Sequence, residues 1–140
     1  MPQALTRLTH ATHGQGFYDL TRPVAQWVAE QAPAVGLLTV FCRHTSASLV
    51  IQENADPTVR QDLTTFLDTL APEDDRYVHA DEGPDDMPAH IRTMVTATSL
   101  TIPVERGRLL LGTWQGLYLA EHRRRPHRRE IVLHLLADCA

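Results

Sequence analysis

The stretch SLTIPVERGRLLLGTWQGLYLA, residues 99–120, decides the fold. Leu100, Ile102 and Val104 alternate with polar or small neighbours, which puts one side of an extended chain into a core. Leu109 to Leu111 is a continuous apolar run, and Leu117 and Leu119 alternate again. Gly107 and Gly112 punctuate these runs as turns. Ile131, Leu133 and Leu135 repeat the alternation further on. This half of the sequence therefore reads as strands of an antiparallel or mixed sheet.

Working back from that stretch, helices come into view. Asp86 opens a segment with Pro88 in its first turn and Ile91, Met94 and Val95 placed to face inward. Asp56-Pro57 opens another, an N-cap followed by a proline at the first helical position, with Val59, Leu63, Phe66, Leu67 and Leu70 on one face and Pro72 at its end. Thr21 to Ala32 reads as a third helix, with Val24, Trp27 and Val28 sharing a face. Between the last two lie a buried strand, GLLTVFCRH from Gly36 to His44, and a second strand around Leu49 to Ile51. Three helices and a set of grouped strands define an α+β protein with a β-sandwich-like core. An all-β sandwich with peripheral helices lies close to this reading.

The 140 residues, 43% apolar and 21% charged, fit one domain over 1–140. A net charge of −4 makes general nucleic-acid binding a poor fit. All 13 basic residues are Arg, which excludes a Schiff-base, P-loop or kinase-type lysine. Cys42 and Cys139 make no disulfide framework and no CxxC motif. The most apolar stretch, Val35 to Phe41, is too short to span a bilayer, and MPQALTRLTHATHG has no apolar signal core, so a cytoplasmic protein is expected.

Charge is unevenly spread. Glu73 to Asp86 holds seven acids and one Arg, whereas Glu121 to Glu130 holds five Arg and two Glu. Each run reads as a solvated edge, or the basic one as a face toward an anionic ligand or a neighbour's acidic loop.

Of eight histidines, His44, His79 and His90 stand beside segments that could carry chemistry. His90 falls in the first turn of its helix, where the positive helix end favours a neutral imidazole. Their spacings match no compact zinc signature, so on spacing alone they read as three ordinary, partly buried histidines. Glu53 and Asn54 end an apolar strand, where a carboxylate can orient a histidine or act as a base; a plain turn fits equally well. Gly112-Thr113-Trp114-Gln115-Gly116 suits a turn whose amides meet an anion beside a flat Trp wall, or a tight turn with a packed Trp. Ser46 and Ser48 lack a GxSxG elbow, which argues against a serine hydrolase.

Read together, HTSASLVIQENADP (His44 to Pro57), EGPDDMPAHI (Glu82 to Ile91) and the run from Ser99 through Gly107 to LLLGTWQGLYLAEH resemble the YjbQ family, also known as UPF0047 and often described as secondary thiamine-phosphate synthase. The resemblance extends from about Leu20 to Leu136. It implies a compact α+β unit assembled as a homotrimer, with the site near subunit boundaries. It also implies an enzyme joining a hydroxymethylpyrimidine pyrophosphate to a thiazole phosphate, as a weak activity beside another substrate. By the same resemblance His44, His79 and His90 would hold a divalent metal. Glu53, Asn54 and Glu121 would be catalytic, and Gly112, Thr113, Trp114, Gln115 and Arg128 would bind a phosphate or pyrophosphate ligand. Arg128 is the better carry-over than Arg123 to Arg125, because the basic segment departs from the DGPR-type turn of many members. Three imidazoles favour zinc over magnesium, which prefers oxygen. The competing expectations are a non-catalytic trimer binding a metal or phosphate metabolite, and a structural oligomer docked through the basic run.

Overall fold

The structure, a computed structural model, describes residues 2–139. In chain order its elements are β1 (Gln3–Thr12), β2 (Gly16–Asp19), α1 (Thr21–Gln31), β3 (Pro33–Cys42), β4 (Ala47–Glu53), α2 (Pro57–Leu70), α3 (Asp86–Val95), β5 (Ser99–Glu105), β6 (Arg108–Leu109), β7 (Gln115–Glu121) and β8 (His127–Cys139). The strands form two sheets, ordered β1-β8-β3-β5-β6 and β2-β7-β4. Every strand pair is antiparallel, so the sheets are not mixed, and the fold is α+β.

Alternation builds the core. Leu38 and Val40 of β3, Ile102 and Val104 of β5, and Ile131, Leu133 and Leu135 of β8 point to one side of the larger sheet. They meet Leu49 of β4, Leu117 and Leu119 of β7, and Val24 and Val28 of α1. The middle strand of the smaller sheet, β7, is buried from Gly116 through Glu121. Gly36 is required by close approach: a Cβ there would lie 2.5 Å from the Ala137 Cβ on the neighbouring strand. Arg106 and Gly107 both take positive φ (51° and 77°) and close the two-residue β5–β6 hairpin. That hairpin ends at Leu109, so the expected strand through Leu111 is cut short.

The Asp56 carboxylate caps α2, accepting from the Thr58 amide at 2.9 Å, with Pro57 at the first helical position. Helix α3 starts at Asp86 as expected, but its inward face differs. Asp86, Ala89 and Arg92 are buried, while Met94 and Val95 are 77% and 48% exposed. Polar residues occupy the inward stripe because partners await them there; the Arg92 guanidinium donates to Asp68 at 3.0 Å and to the Ala71 carbonyl at 3.2 Å.

Candidate functional site

Residues four apart on a helix share a face, so Asp86 and His90 project together from α3. The segment between α2 and α3 brings His79 to the same place. His79 Nε2 lies 2.7 Å and His90 Nε2 3.1 Å from Asp86 Oδ2. The two imidazoles meet edge to face, 5.4 Å between centroids. One donor atom from each of the three residues falls within 4.8 Å of the others.

The cluster is braced from behind. Arg123, only 6% exposed, donates from Nη1 to Asp86 Oδ1 (2.7 Å), from Nε to Asp85 Oδ2 (3.0 Å) and from Nη2 to the Glu82 carbonyl (2.7 Å). The Arg124 amide adds a bond to Asp85 Oδ2 at 2.9 Å, and its guanidinium reaches Glu73 at 2.5 Å. Burial opposes the charge on Asp86, but His79, Arg123 and His90 together hold its carboxyl below the ordinary range. The basic run thus docks on the acidic loop of its own chain.

Four sequence expectations need correction in space. His44 is not part of the cluster: its Nε2 accepts the Glu130 amide at 2.8 Å, and Asp86 stands where a third imidazole was expected. Burial, then the neighbouring Arg129, lowers its pKa and keeps it neutral. Glu121 is not available for proton transfer. It is 2% exposed, its Oε1 accepts from Thr12 (2.6 Å) and Arg129 Nε (2.8 Å), and its Oε2 accepts from the Arg123 amide and Arg129 Nη2. Burial raises its pKa, but the bonds from Arg129 and Thr12 prevail and hold it ionised. Arg128 is exposed on the outer face of β8, opposite Ala11, and it is Arg129 that turns inward.

The fourth correction concerns Glu53, Asn54 and the loop at Gly112 to Gln115. The β4–β7 register pairs Ala47 with Glu121 and Glu53 with Gln115. These polar groups therefore lie at the opposite end of the smaller sheet, about 20 Å along the strands from Glu121. There they satisfy one another. Gln115 Oε1 takes the Gly112 amide (2.8 Å), Glu53 takes the Asp56 amide (3.0 Å), and Asn54 Nδ2 bonds the Thr113 and Gln115 carbonyls. The Gly112 amide is thus spent on Gln115, and Trp114 stands 63% exposed.

Two buried features escaped sequence reading. His122 is 2% exposed, with Nε2 2.8 Å from Ser48 Oγ, which lies 2.5 Å from Thr96 Oγ1. Burial, aided by the Arg92 charge, pushes His122 down to about 4. The inward Arg129 was legible from parity, because it shares the odd positions of Ile131, Leu133 and Leu135.

Two packed antiparallel sheets with three helices, carrying a His-Asp-His cluster braced by a buried arginine, define the class of protein. The chain belongs to the UPF0047 protein YjbQ-like family, whose model matches residues 6–138. UPF0047 protein sll1880 of Synechocystis is 54% identical over 132 residues, covering 94% of this chain and 90% of that protein. UPF0047 protein YjbQ of Escherichia coli O157:H7 is 42% identical, covering 94% and 96%. Among solved structures, the conserved hypothetical protein TT1486 from Thermus thermophilus superposes with a TM-score of 0.83 at 39% identity, covering 94% of this chain and 99% of that one. A YjbQ/UPF0047 protein from Clostridium acetobutylicum gives 0.82 at 34% identity, with 95% and 99% covered.

Proposed function

We propose that this chain is an enzyme acting on phosphorylated or pyrophosphorylated small molecules, with a divalent metal held by His79, Asp86 and His90. One observation carries the reading. His90 Nδ1 lies 2.9 Å from the Thr45 carbonyl oxygen, which can only accept, so Nδ1 bears the proton. In a neutral ring the Nε2 lone pair then faces the Asp86 carboxylate oxygen at 3.1 Å. Two acceptors at that distance need a second proton on His90 or a cation between them. His79 converging on the same oxygen favours the cation, as do the carbonyl behind His90 and the guanidinium behind Asp86, the usual outer partners of metal ligands.

Two imidazoles and one carboxylate suit zinc better than magnesium. Such an ion, when bound, polarises phosphoryl oxygens and makes the phosphate a better electrophile or leaving group. The chain's own contribution is to fix both imidazole orientations and to keep Asp86 ionised. Coupling a pyrimidine pyrophosphate to a thiazole phosphate is one reaction of this class. Magnesium is the ordinary ion for that chemistry, which points to a different principal substrate. We place the activity in the cytoplasm, where free Cys42 and Cys139 stay reduced.

The test is metal content by mass spectrometry, on tag-free protein prepared without added metal or chelator. About one zinc per protomer is expected, lost in His90→Ala and in Asp86→Asn and kept in His44→Gln. A metal-free wild type that also takes up no added zinc defeats the metal reading and leaves a binding pocket without a metal.

A further inference from the structure

Thr45 joins the histidine cluster to a second feature. Its carbonyl holds His90, and the residue also lines a cleft of about 630 Å³ together with Phe41, His44, Ser46, Thr98 and Arg129. A cleft of that size suits a small-molecule ligand. Two donors in its wall have no acceptor among the described residues. The Glu130 amide donates to His44 Nε2, which leaves the His44 proton on Nδ1, and that N–H is unspent. Ser46 Oγ accepts from Arg129 Nη2 at 3.0 Å, so the hydroxyl hydrogen remains free to donate outward. Behind both stands Arg129, whose side chain is 4% exposed and is anchored by Glu121. Arg43, 49% exposed and paired with Glu130, lines the same cleft.

We propose that this cleft is the phosphoryl subsite, where the oxygens of a phosphate monoester accept hydrogen bonds from His44 Nδ1–H and Ser46 Oγ–H. The inference rests on the reading above that the substrate carries phosphate. It moves the anion-binding role from Arg128, on the outer face of β8, and the Gly112 loop, at the far end of the smaller sheet, to residues beside Thr45, whose carbonyl holds His90. It also gives His44 a task other than metal ligation. The ligand is an acceptor-only group. A phosphate dianion presents three such oxygens to divergent donors, and Arg7 and Arg43, two cations sharing the single Glu130 carboxylate, leave positive charge at the rim that favours an anion over a neutral carbonyl compound. The carboxylates that could draw an ammonium head group are already engaged, Glu121 on Arg129 and Glu130 on Arg7 and Arg43.

The experiment is a titration of inorganic phosphate, followed by calorimetry and by phosphorus NMR line width. It uses full-length wild type, Ser46→Ala, His44→Gln and Arg128→Ala, each first metal-free and then with zinc added. Wild type should saturate. Ser46→Ala and His44→Gln should each weaken binding by about tenfold or more, the cost of one hydrogen bond to a charged group. Arg128→Ala should bind as wild type. If His44→Gln loses its thermal transition, Ser46→Ala alone decides. Absence of saturable phosphate binding by wild type, or unchanged binding by Ser46→Ala, overturns the subsite, as does loss of binding in Arg128→Ala. The two readings fail separately. A protein that takes up no zinc yet binds phosphate through Ser46 keeps the subsite and loses the metal, whereas one that binds zinc but is indifferent to Ser46 does the reverse.

Discussion

At the scale of single residues, the fold rejects charge on His122. An imidazole with an ordinary value of 6.5 is pushed to about 4 by burial and by Arg92. Below the ordinary value the unfolded chain takes up a proton that the folded chain refuses. Stability from this residue is therefore full above about pH 6.5 and is lost as pH falls toward about 4. The gap corresponds to about 3 kcal/mol at most. His44, lowered by burial and Arg129, acts in the same direction. Asp85, Asp86 and Glu121, all held below their ordinary values, contribute stability that disappears only at lower pH, as each takes up its proton. Urea unfolding of wild type at steps from neutral pH to about pH 4.5 should show a falling free energy well before the carboxylate range. His122→Gln should lose most of that slope. A variant with the wild-type slope would mean that His122 is protonated in the folded chain.

At the scale of elements, Arg123 ties the segment that carries His79 to the end of β7. One guanidinium holds the Glu82 carbonyl, Asp85 and Asp86. Removing one member of a buried ion network leaves its partners uncompensated, at a cost of about 3 kcal/mol or more. Arg123→Met should lower the unfolding free energy by that order and expose the segment between α2 and α3 to limited proteolysis. Arg123→Lys should recover little, since an ammonium cannot serve three acceptors in a planar fork. If Arg123→Met is as protease-resistant as wild type, the segment is held by something else. The same elements show what could be read from sequence. Helix α2 was legible because its signals are local: a capping Asp, a Pro after it, an apolar face. The strands were legible through alternation of period two. The inward stripe of α3 was not, because Asp86 and Arg92 are buried by partners distant in sequence, Arg123 and Asp68, and no periodicity encodes that. The basic run misled for the same reason. Arg123 looks like a surface charge until the acidic loop folds over it. The cluster was half legible: His79 and His90 come together, and the Asp86–His90 spacing on one helix face was there to be seen.

At the scale of the whole molecule, the acidic and basic runs pair in part within one chain, through Arg123 with Asp85 and Asp86 and through Arg124 with Glu73. Arg125 and Arg128 of the basic run and Asp75, Asp81 and Glu82 of the acidic one carry no ion pair among the described residues. No helix among the described residues is long and apolar enough to cross a membrane. An apolar patch is exposed as well. The outward face of the five-stranded sheet carries Leu5 (61% exposed), Val35 (60%), Leu37 (44%), Phe41 (44%) and Leu136 (39%), and the β3–β8 register sets Leu37 beside Leu136. An apolar patch on a sheet face is what subunit association buries. The homotrimer implied by family resemblance would then be held by apolar contact rather than by ion pairs. Light scattering behind gel filtration should give about three times the 15.7 kDa protomer. That mass should persist in molar salt, where the screening length shrinks to about 3 Å. Leu37→Asp should reduce it to one protomer while leaving unchanged the zinc uptake proposed above, because His79, Asp86 and His90 converge within a single chain. A trimer that salt dissociates would return the interface to the arginines. A monomeric wild type at micromolar concentration would leave the apolar face to another partner.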